Sequence, residues 1–339
     1  MIKKNHAPKV STQWLIKLLL QKGISVKEVI SMLSLPKNTR VSILYALPFP
    51  KYLQLLNWAA VQFKDENFGL TSAHNLRRDA FGIAYYMSFN AITLRELFKS
   101  LQRFDSLISQ VLEITFIEEP IISKLEYRII LPSKHATKHD IDLSLKLFLQ
   151  PFRDYIDPYW KPSRVNFNYS KPSDIARLVE EFGTEIYFEQ ATNSIIFNSD
   201  LLDTRINDAD PKLLRVFQEG IEETKKKLLQ RHDSLIPRVR HLIAISLSSG
   251  QSSSEHIALQ LNMSRRSLVR HLTNQSTGFR LIKDDVIEEI AKKLLTETTS
   301  NISMISEILG FSETSAFDRT FKKLSGYSPS EYRQRAHSS

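Results

Sequence analysis

The sequence predicts an α+β N-terminal portion followed by an all-α C-terminal portion with two helix-turn-helix motifs. Three observations lead there. Strand signals of β-branched alternation lie between residues 82 and 197, they vanish after His232-Asp233-Ser234, and the helical tail repeats itself at an offset of 48 residues. Length agrees: at about 150 residues per domain, a chain of 339 residues makes two.

The elements follow in order. Residues 26–33 are apolar at helical spacing, and 52–63 repeat Leu53, Leu56, Ala60 and Phe63 with Trp58 beside them, so the chain opens in helices. Residues 82–89 form a short β-rich run. Thr93, with Glu96 three residues on, has the capping-box spacing that starts a helix. Residues 111–117 and 122–131 alternate as two strands of a hairpin, with Glu118-Glu119-Pro120 as the turn. A helix at 140–155, a strand at 164–169, a helix at 173–182 opened near Asp174, and short strands at 186–188 and 194–197 complete this portion. Asp210 followed by Pro211 starts another helix, which runs through Leu214, Val216, Phe217 and Ile221 into Lys225-Lys226-Lys227. Domains are therefore expected at 1–210 and 236–339, joined by a linker helix over 211–235.

Composition excludes several chemistries. With no cysteine there is no disulfide scaffold, thiolate metal site or cysteine nucleophile. The basic start MIKKNHAPKV is followed by an apolar stretch at 14–20 that Lys17 interrupts and Gln21-Lys22 ends, so no signal peptide is expected. No 18 apolar residues run together, which predicts a cytoplasmic protein without a membrane span. No Gly-rich phosphate loop, nucleophile elbow or paired-carboxylate motif stands out, and no catalytic residue, cofactor or enzymatic activity is expected. His135 and His139 are spaced like metal ligands, but Pro132 and Ser133 flank them and no Glu base is near, so they read as a polar loop entering a helix and no metal is expected. Trp58, Tyr85, Tyr86, Phe89, Tyr155, Tyr159 and Trp160 could line an apolar effector pocket, though each alone is more often core.

The net charge of +9 is compatible with a polyanionic partner. Residues 236–339 hold 14 Lys plus Arg against 10 Asp plus Glu, so the excess is spread through the chain and does not identify that partner.

The repeat is more informative. Ile257 matches Ile305, Ala258 Ser306, Leu261 Leu309, Asn262 Gly310, Met263 Phe311, Ser264 Ser312, Ser267 Ser315, Gly278 Gly326 and Phe279 Tyr327. Each copy holds the parts of a helix-turn-helix. A small residue stands where the helices cross, Ala258 or Ser306. Asn262 or Gly310 tolerates the positive φ of the turn, Met263 or Phe311 plugs the corner, and Ser264 or Ser312 caps the second helix. The second helices bury Leu268 and Leu272, or Phe317 and Phe321. That turns Arg265, Arg266, Val269, Arg270 and Thr273 outward in the first copy, and Glu313, Thr314, Ser315, Asp318, Arg319 and Lys322 in the second. Arginines at a helix N-terminus reach guanine edges or phosphates in a major groove, whereas Glu313 and Asp318 weaken phosphate affinity.

The run Gly310-Phe311-Ser312-Glu313-Thr314-Ser315-Ala316-Phe317-Asp318-Arg319-Thr320-Phe321-Lys322-Lys323, with Gly326-Tyr327-Ser328-Pro329-Ser330-Glu331-Tyr332-Arg333 after it, resembles the C-terminal signature of AraC/XylS-type transcriptional regulators. Residues 261–272 and Thr277-Gly278-Phe279-Arg280 are similar to that family's first helix-turn-helix. Phe68-Gly69-Leu70, residues 94–104, Trp160-Lys161-Pro162, Phe182-Gly183 and residues 195–202 look like the arabinose-binding-type regulatory domain of regulators resembling those of ornithine and arginine use. The resemblance implies two helix-turn-helix units joined by a long helix, here about 281–296, entering successive major grooves of promoter or operator DNA. It implies an N-terminal regulatory domain that senses an unknown small-molecule effector or makes a homodimer, with RNA polymerase as a further partner. Carried over, the base-facing positions are Arg266, Val269 and Arg270, then Thr314, Ser315, Asp318 and Arg319. Arg265 stands where many relatives have proline. A second reading is kept beside this one: a small-molecule-binding or catalytic protein whose vestigial DNA-binding tail serves protein interaction.

Overall fold

The computed structural model describes residues 9–73, 76, 90–108, 111–131, 133–183, 185–206, 209, 212, 214, 215, 219, 235–248, 252–261 and 263–338. The expected strand at 82–89, nearly all of the linker helix over 211–235 and the turn residue Asn262 lie outside them. The chain divides into two units, residues 1–77 with 93–207 and residues 78–92 with 208–339. Among the described residues no helix is long and apolar enough to cross a membrane.

The first unit opens with β1 (Lys9–Ser11), α1 (Gln13–Gln21), α2 (Val26–Met32), α3 (Val41–Leu44), β2 (Ala46–Pro48), α4 (Phe49–Gln62) and α5 (Phe68–Ala73). The apolar spacing that predicted helices also gathers their core, with Leu15, Leu19, Val29, Leu53 and Leu56 all buried together. Ser25 and Glu28 close a reciprocal cap on α2: the Ser25 N–H donates to Glu28 Oε2 at 2.8 Å and the Glu28 N–H to Ser25 Oγ at 3.3 Å. The β1–β2 ladder, with Val10 opposite Leu47, departs from the all-helical opening expected here. Three residues per strand are too few to display alternation.

The rest of the unit is a sheet with helices. Thr93 Oγ1 accepts the Glu96 N–H at 3.3 Å and starts α6 (Leu94–Ile108). The predicted hairpin is β3 (Leu112–Ile117) and β4 (Ile122–Ile129), with Phe116 opposite Leu125. Then come α7 (Lys138–Tyr155), β5 (Arg164–Asn166), α8 (Ala176–Phe182), β6 (Ile186–Tyr187) and β7 (Asn193–Asn198). The strand order is β3-β4-β7-β5-β6, antiparallel except for the β5–β6 pair. On β4 the alternate residues Ser123, Leu125 and Tyr127 are buried, the period expected of a sheet with one covered face. Phe152 is the aromatic centre, 5.3 Å from Phe98, 4.7 Å from Phe197 and stacked at 3.9 Å on Trp160.

Helix α7 is buried on almost every side and carries charge inside. Residues 140 and 142 are separated by about 200° around a helix, so their carboxylates reach opposite neighbours. Asp140 Oδ2 accepts Tyr127 Oη at 2.6 Å and is also bonded by Tyr52, joining β4 and α4. Asp142 accepts Tyr169 Oη at 2.5 Å and Lys138 Nζ at 2.7 Å, and Lys138 continues to the Glu66 carbonyl at 3.0 Å. Burial raises both carboxyls above the ordinary range, against the lowering effect of these donors. Further along, Lys146 Nζ meets Glu181 at 2.6 Å and Arg153 pairs with the same carboxylate, which ties α8 to α7. Gly69 of α5 lies so close to α7 that an added Cβ would stand 2.2 Å from the His139 carbonyl oxygen.

The second unit comprises α9 (Leu235–Ser246), α10 (Ser254–Gln260), α11 (Arg265–Asn274), α12 (Phe279–Glu297), α13 (Ile302–Ile308), α14 (Thr314–Ser325) and α15 (Pro329–Ser338). Helix pairs α10–α11 and α13–α14 are the two helix-turn-helix units. The small residues predicted at the crossings, Ala258 and Ser306, are buried. Ser264 caps α11, its Oγ accepting the Ser267 N–H at 3.0 Å. The predicted cap at Ser312 is corrected: α14 starts one residue later, with Glu313 as its N-cap and no side-chain cap bond. Gly310 takes φ +77°, as its turn requires. An added Cβ there would stand 2.0 Å from the Leu247 carbonyl oxygen, so the second turn is seated on the residue that follows α9.

Two stability results are expected. Gly310→Ala should destabilise the second unit by more than about 2 kcal/mol, because it adds a forbidden contact to a left-handed backbone. Ser306 Oγ is buried without a hydrogen-bond partner among the described residues, so Ser306→Ala, the residue of the first copy, should stabilise by about 1 kcal/mol. Denaturant unfolding of both variants checks this, and equal small effects would contradict it.

His139 sets a pH dependence in the first unit. Its pKa is lowered to about 4, first by burial and then by the Lys138 charge, with Asp65 acting in the opposite sense. A depressed histidine stabilises in its neutral form, so its contribution is present above the unfolded value of 6.5 and is lost as pH falls through about 4. Between pH 6.5 and 4 the native chain should lose on the order of 3 kcal/mol more than His139→Gln. Parallel acid unfolding curves measure it.

Candidate nucleic-acid interface

Burial of one face determines what the other presents. Leu268 and Leu272 are fully buried, so Arg265, Arg266, Val269, Arg270 and Thr273 of α11 all stand exposed. Among the described residues Arg266 and Arg270 have no carboxylate partner, and Val269 is 43% exposed between them. The helix begins with arginines next to its positive dipole end, a repulsive placement that an outside anion would relieve. Arg265 is engaged inside the protein: its Nε lies 3.0 Å from Glu255 Oε1 and donates to Ser254 Oγ at 3.1 Å. His271 Nδ1 lies 2.7 Å from the Ser267 carbonyl oxygen, which fixes that ring along the helix.

The second recognition helix is built differently. Phe317 and Phe321 are fully buried in a run of ring contacts, from Phe311 to Phe317 at 5.6 Å, on to Phe321 at 5.7 Å and to Tyr332 at 5.5 Å. Ser315, Arg319 and Lys322 are exposed, while Thr314 and Asp318 are half-buried. Asp318 has no basic partner among the described residues, although Lys322 stands four residues on. Glu313 accepts Ser315 Oγ at 3.3 Å. The face therefore mixes two cations with two carboxylates.

The long helix predicted at 281–296 is α12, and Arg240 of α9 braces it through Glu289 at 2.6 Å. Its C-terminal end is held by Arg333, whose Nη2 donates to the Ser300 carbonyl at 2.7 Å and Nε to that of Leu295 at 3.2 Å. The Ser328-Pro329-Ser330-Glu331 sequence is a helix start. Glu331 Oε2 accepts the Ser328 N–H at 2.8 Å, Ser328 Oγ accepts the Glu331 N–H at 3.3 Å, and Pro329 takes the first helical position. Those bonds hold the Glu331 carboxyl below its usual range.

Other sequence-marked residues are scattered. Trp58 packs against the N-terminal core, Trp160 stacks on Phe152 and Tyr159 is 86% exposed. Tyr85, Tyr86 and Phe89 lie outside the described residues. His135 sits in the loop before α7 and His139 inside its first turn, edge-on to Phe68. Sequence reasoning passed over Glu255 and Ser254, and over the Asp140 and Asp142 network. The available signal for the latter was two carboxylates two apart, alternating with the apolar Ile141, Leu143 and Leu145. An open cleft of about 780 Å³ borders Arg95, Glu118, Glu119, Ile121, Asp200 and Asp203, with Arg95 paired to both Glu118 and Asp203.

Comparison with known proteins bears on both units. Residues 42–206 match the arabinose-binding domain of AraC transcription regulators, and residues 257–335 match a helix-turn-helix domain. The chain is 32% identical over 171 residues to the ornithine utilization regulator of Pseudomonas aeruginosa, an alignment that spans half of either chain. It is 25% identical over 288 residues to the regulator VirS of Mycobacterium tuberculosis, covering 83% of each. A solved structure, the transcriptional regulator CdpR of Pseudomonas aeruginosa, aligns over 95% of this chain and 97% of that one at 19% identity and a TM-score of 0.45. With residues 42–206 matching the arabinose-binding domain of AraC transcription regulators and residues 257–335 a helix-turn-helix domain, this chain belongs to the AraC family of transcription regulators.

Proposed function

We propose that the protein is a sequence-specific DNA-binding transcriptional regulator, in which residues 236–339 bind promoter DNA and residues 1–210 respond to a small-molecule effector. The observation that carries this reading is the exposed cationic face of α11, where Arg266 and Arg270 flank Val269 without a carboxylate partner among the described residues. Arg266 and Arg270 are assigned to guanine edges and Val269 to a thymine methyl. Arg265 and Thr273, at the two ends of that face, are assigned to the backbone, where most protein–DNA hydrogen bonds fall.

On α14, Thr314, Ser315, Arg319 and Lys322 face the second groove, and Asp318 limits phosphate affinity there. The second helix-turn-helix therefore acts more as a clamp than as a reader. Effector binding acts through a difference in affinity between pre-existing arrangements of domains or protomers. A homodimer and RNA polymerase complete the proposed assembly, which works in the cytoplasm. The rival reading, a small-molecule-binding or catalytic protein with an interaction tail, draws on Glu313 and Asp318 alone. It predicts no dependence of DNA affinity on salt with a log–log slope near −0.9 per phosphate contact.

Arg270→Ala should weaken binding to a specific duplex by about 1–3 kcal/mol and binding to scrambled DNA far less. Titration of both duplexes at matched salt checks it. Equal loss on the two would reduce Arg270 to a phosphate contact.

A further inference from the structure

Arg265 is the first residue of α11, and two groups, the Ser254 hydroxyl and the Glu255 carboxylate, close around its inner edge. Ser254 Oγ donates to Glu255 Oε2 at 3.1 Å and accepts Arg265 Nε at 3.1 Å, while Glu255 Oε1 lies 3.0 Å from the same Nε. Ser254 and Glu255 both belong to the first turn of α10, so the clasp bridges the two helices of the first helix-turn-helix. Only the Nε edge of the guanidinium is engaged. Its two terminal NH2 groups have no partner among the described residues, and the side chain is 60% exposed. A planar guanidinium pinned along one edge has its remaining fork pointed in one direction. An unpinned arginine at this position would have to be ordered by the DNA, at a cost in side-chain entropy.

We propose that Glu255 and Ser254 are positioning residues for DNA binding: they hold Arg265 so that its two terminal amino groups meet a DNA phosphate beside the N-terminus of α11. The inference rests on the DNA-binding reading above and adds to it two residues of the non-recognition helix. It also explains how a carboxylate is tolerated at this interface. The Glu255 carboxylate faces Arg265 and Ser254, and the fork of Arg265 faces outward.

The test is a double-mutant cycle on the full chain, titrated over a range of salt against a duplex selected for binding and against a scrambled one. Arg265→Ala should weaken both duplexes and reduce the magnitude of the salt slope by about 1. Glu255→Gln should weaken binding roughly two- to tenfold when Arg265 is present, and leave binding unchanged or tighter when residue 265 is alanine. Ser254→Ala, a smaller change to the fold, should act in the same direction as Glu255→Gln. A carboxylate that merely repels DNA would give tighter binding in both backgrounds, which overturns the proposal. No effect of Arg265→Ala on affinity or slope would remove Arg265 from the interface and overturn it too, while the result for Arg270 would still decide the wider reading. Thermal melting of each variant separates these outcomes from unfolding.

Discussion

The contact on which the second unit depends is the approach of Gly310 to the Leu247 carbonyl. No other residue supplies both the positive φ and the missing Cβ, so the second turn is fixed against the residue that follows α9. From there Phe311 leads into the ring contacts through Phe317 and Phe321 to Tyr332. Arg333, next to that tyrosine, holds the end of α12. The long signature that marks the family thus reads as a set of packing and capping devices: a turn, an aromatic run, a helix start at Ser328 and, in Arg333, a hold on the C-terminal end of α12. Its sequence specificity comes from structural demand.

The first unit has its own constraint, the polar interior of α7. Two carboxylates and a lysine in one buried helix are tolerable because Tyr52 of α4, Tyr127 of β4, Tyr169 after β5, Lys138 at the start of α7 and Glu181 of α8 supply partners, while burial keeps His139 neutral. Buried donors and acceptors of this kind penalise any other register of α7, since a slip of one residue would orphan both carboxylates.

Legibility in the sequence followed the physics of each element. The amphipathic α4 and the alternating hairpin of β3 and β4 carry their period over enough residues to be read, whereas α12 was expected from the family resemblance. The three-residue strands β1 and β2 do not. The repeat predicted the second turn and the buried faces of both helix-turn-helix units, because small residues, corner plugs and glycine occupy positions that admit few alternatives. It misplaced the cap of α14, because equivalence by offset assigns Ser312 the role that Ser264 fills, while Glu313 takes the cap position. The outward residues were legible as a set. Their partners were not: the clasp on Arg265 joins residues eleven apart in the chain, and the tyrosines on Asp140 and Asp142 come from distant elements whose only sequence signal is an apolar neighbourhood.

The two units of the repeat have diverged in what they present, one a cationic face with an apolar centre, the other a face of mixed sign over a tighter aromatic core. The claim that follows is asymmetry of reading. Selection of bound duplexes from a random library by the full chain, at matched salt, measures it directly. The account predicts one strongly specified element rich in guanine, with a weakly specified segment about one helical turn away. Two equally specified elements would contradict the asymmetry, and no enrichment at all would contradict the DNA-reading account itself.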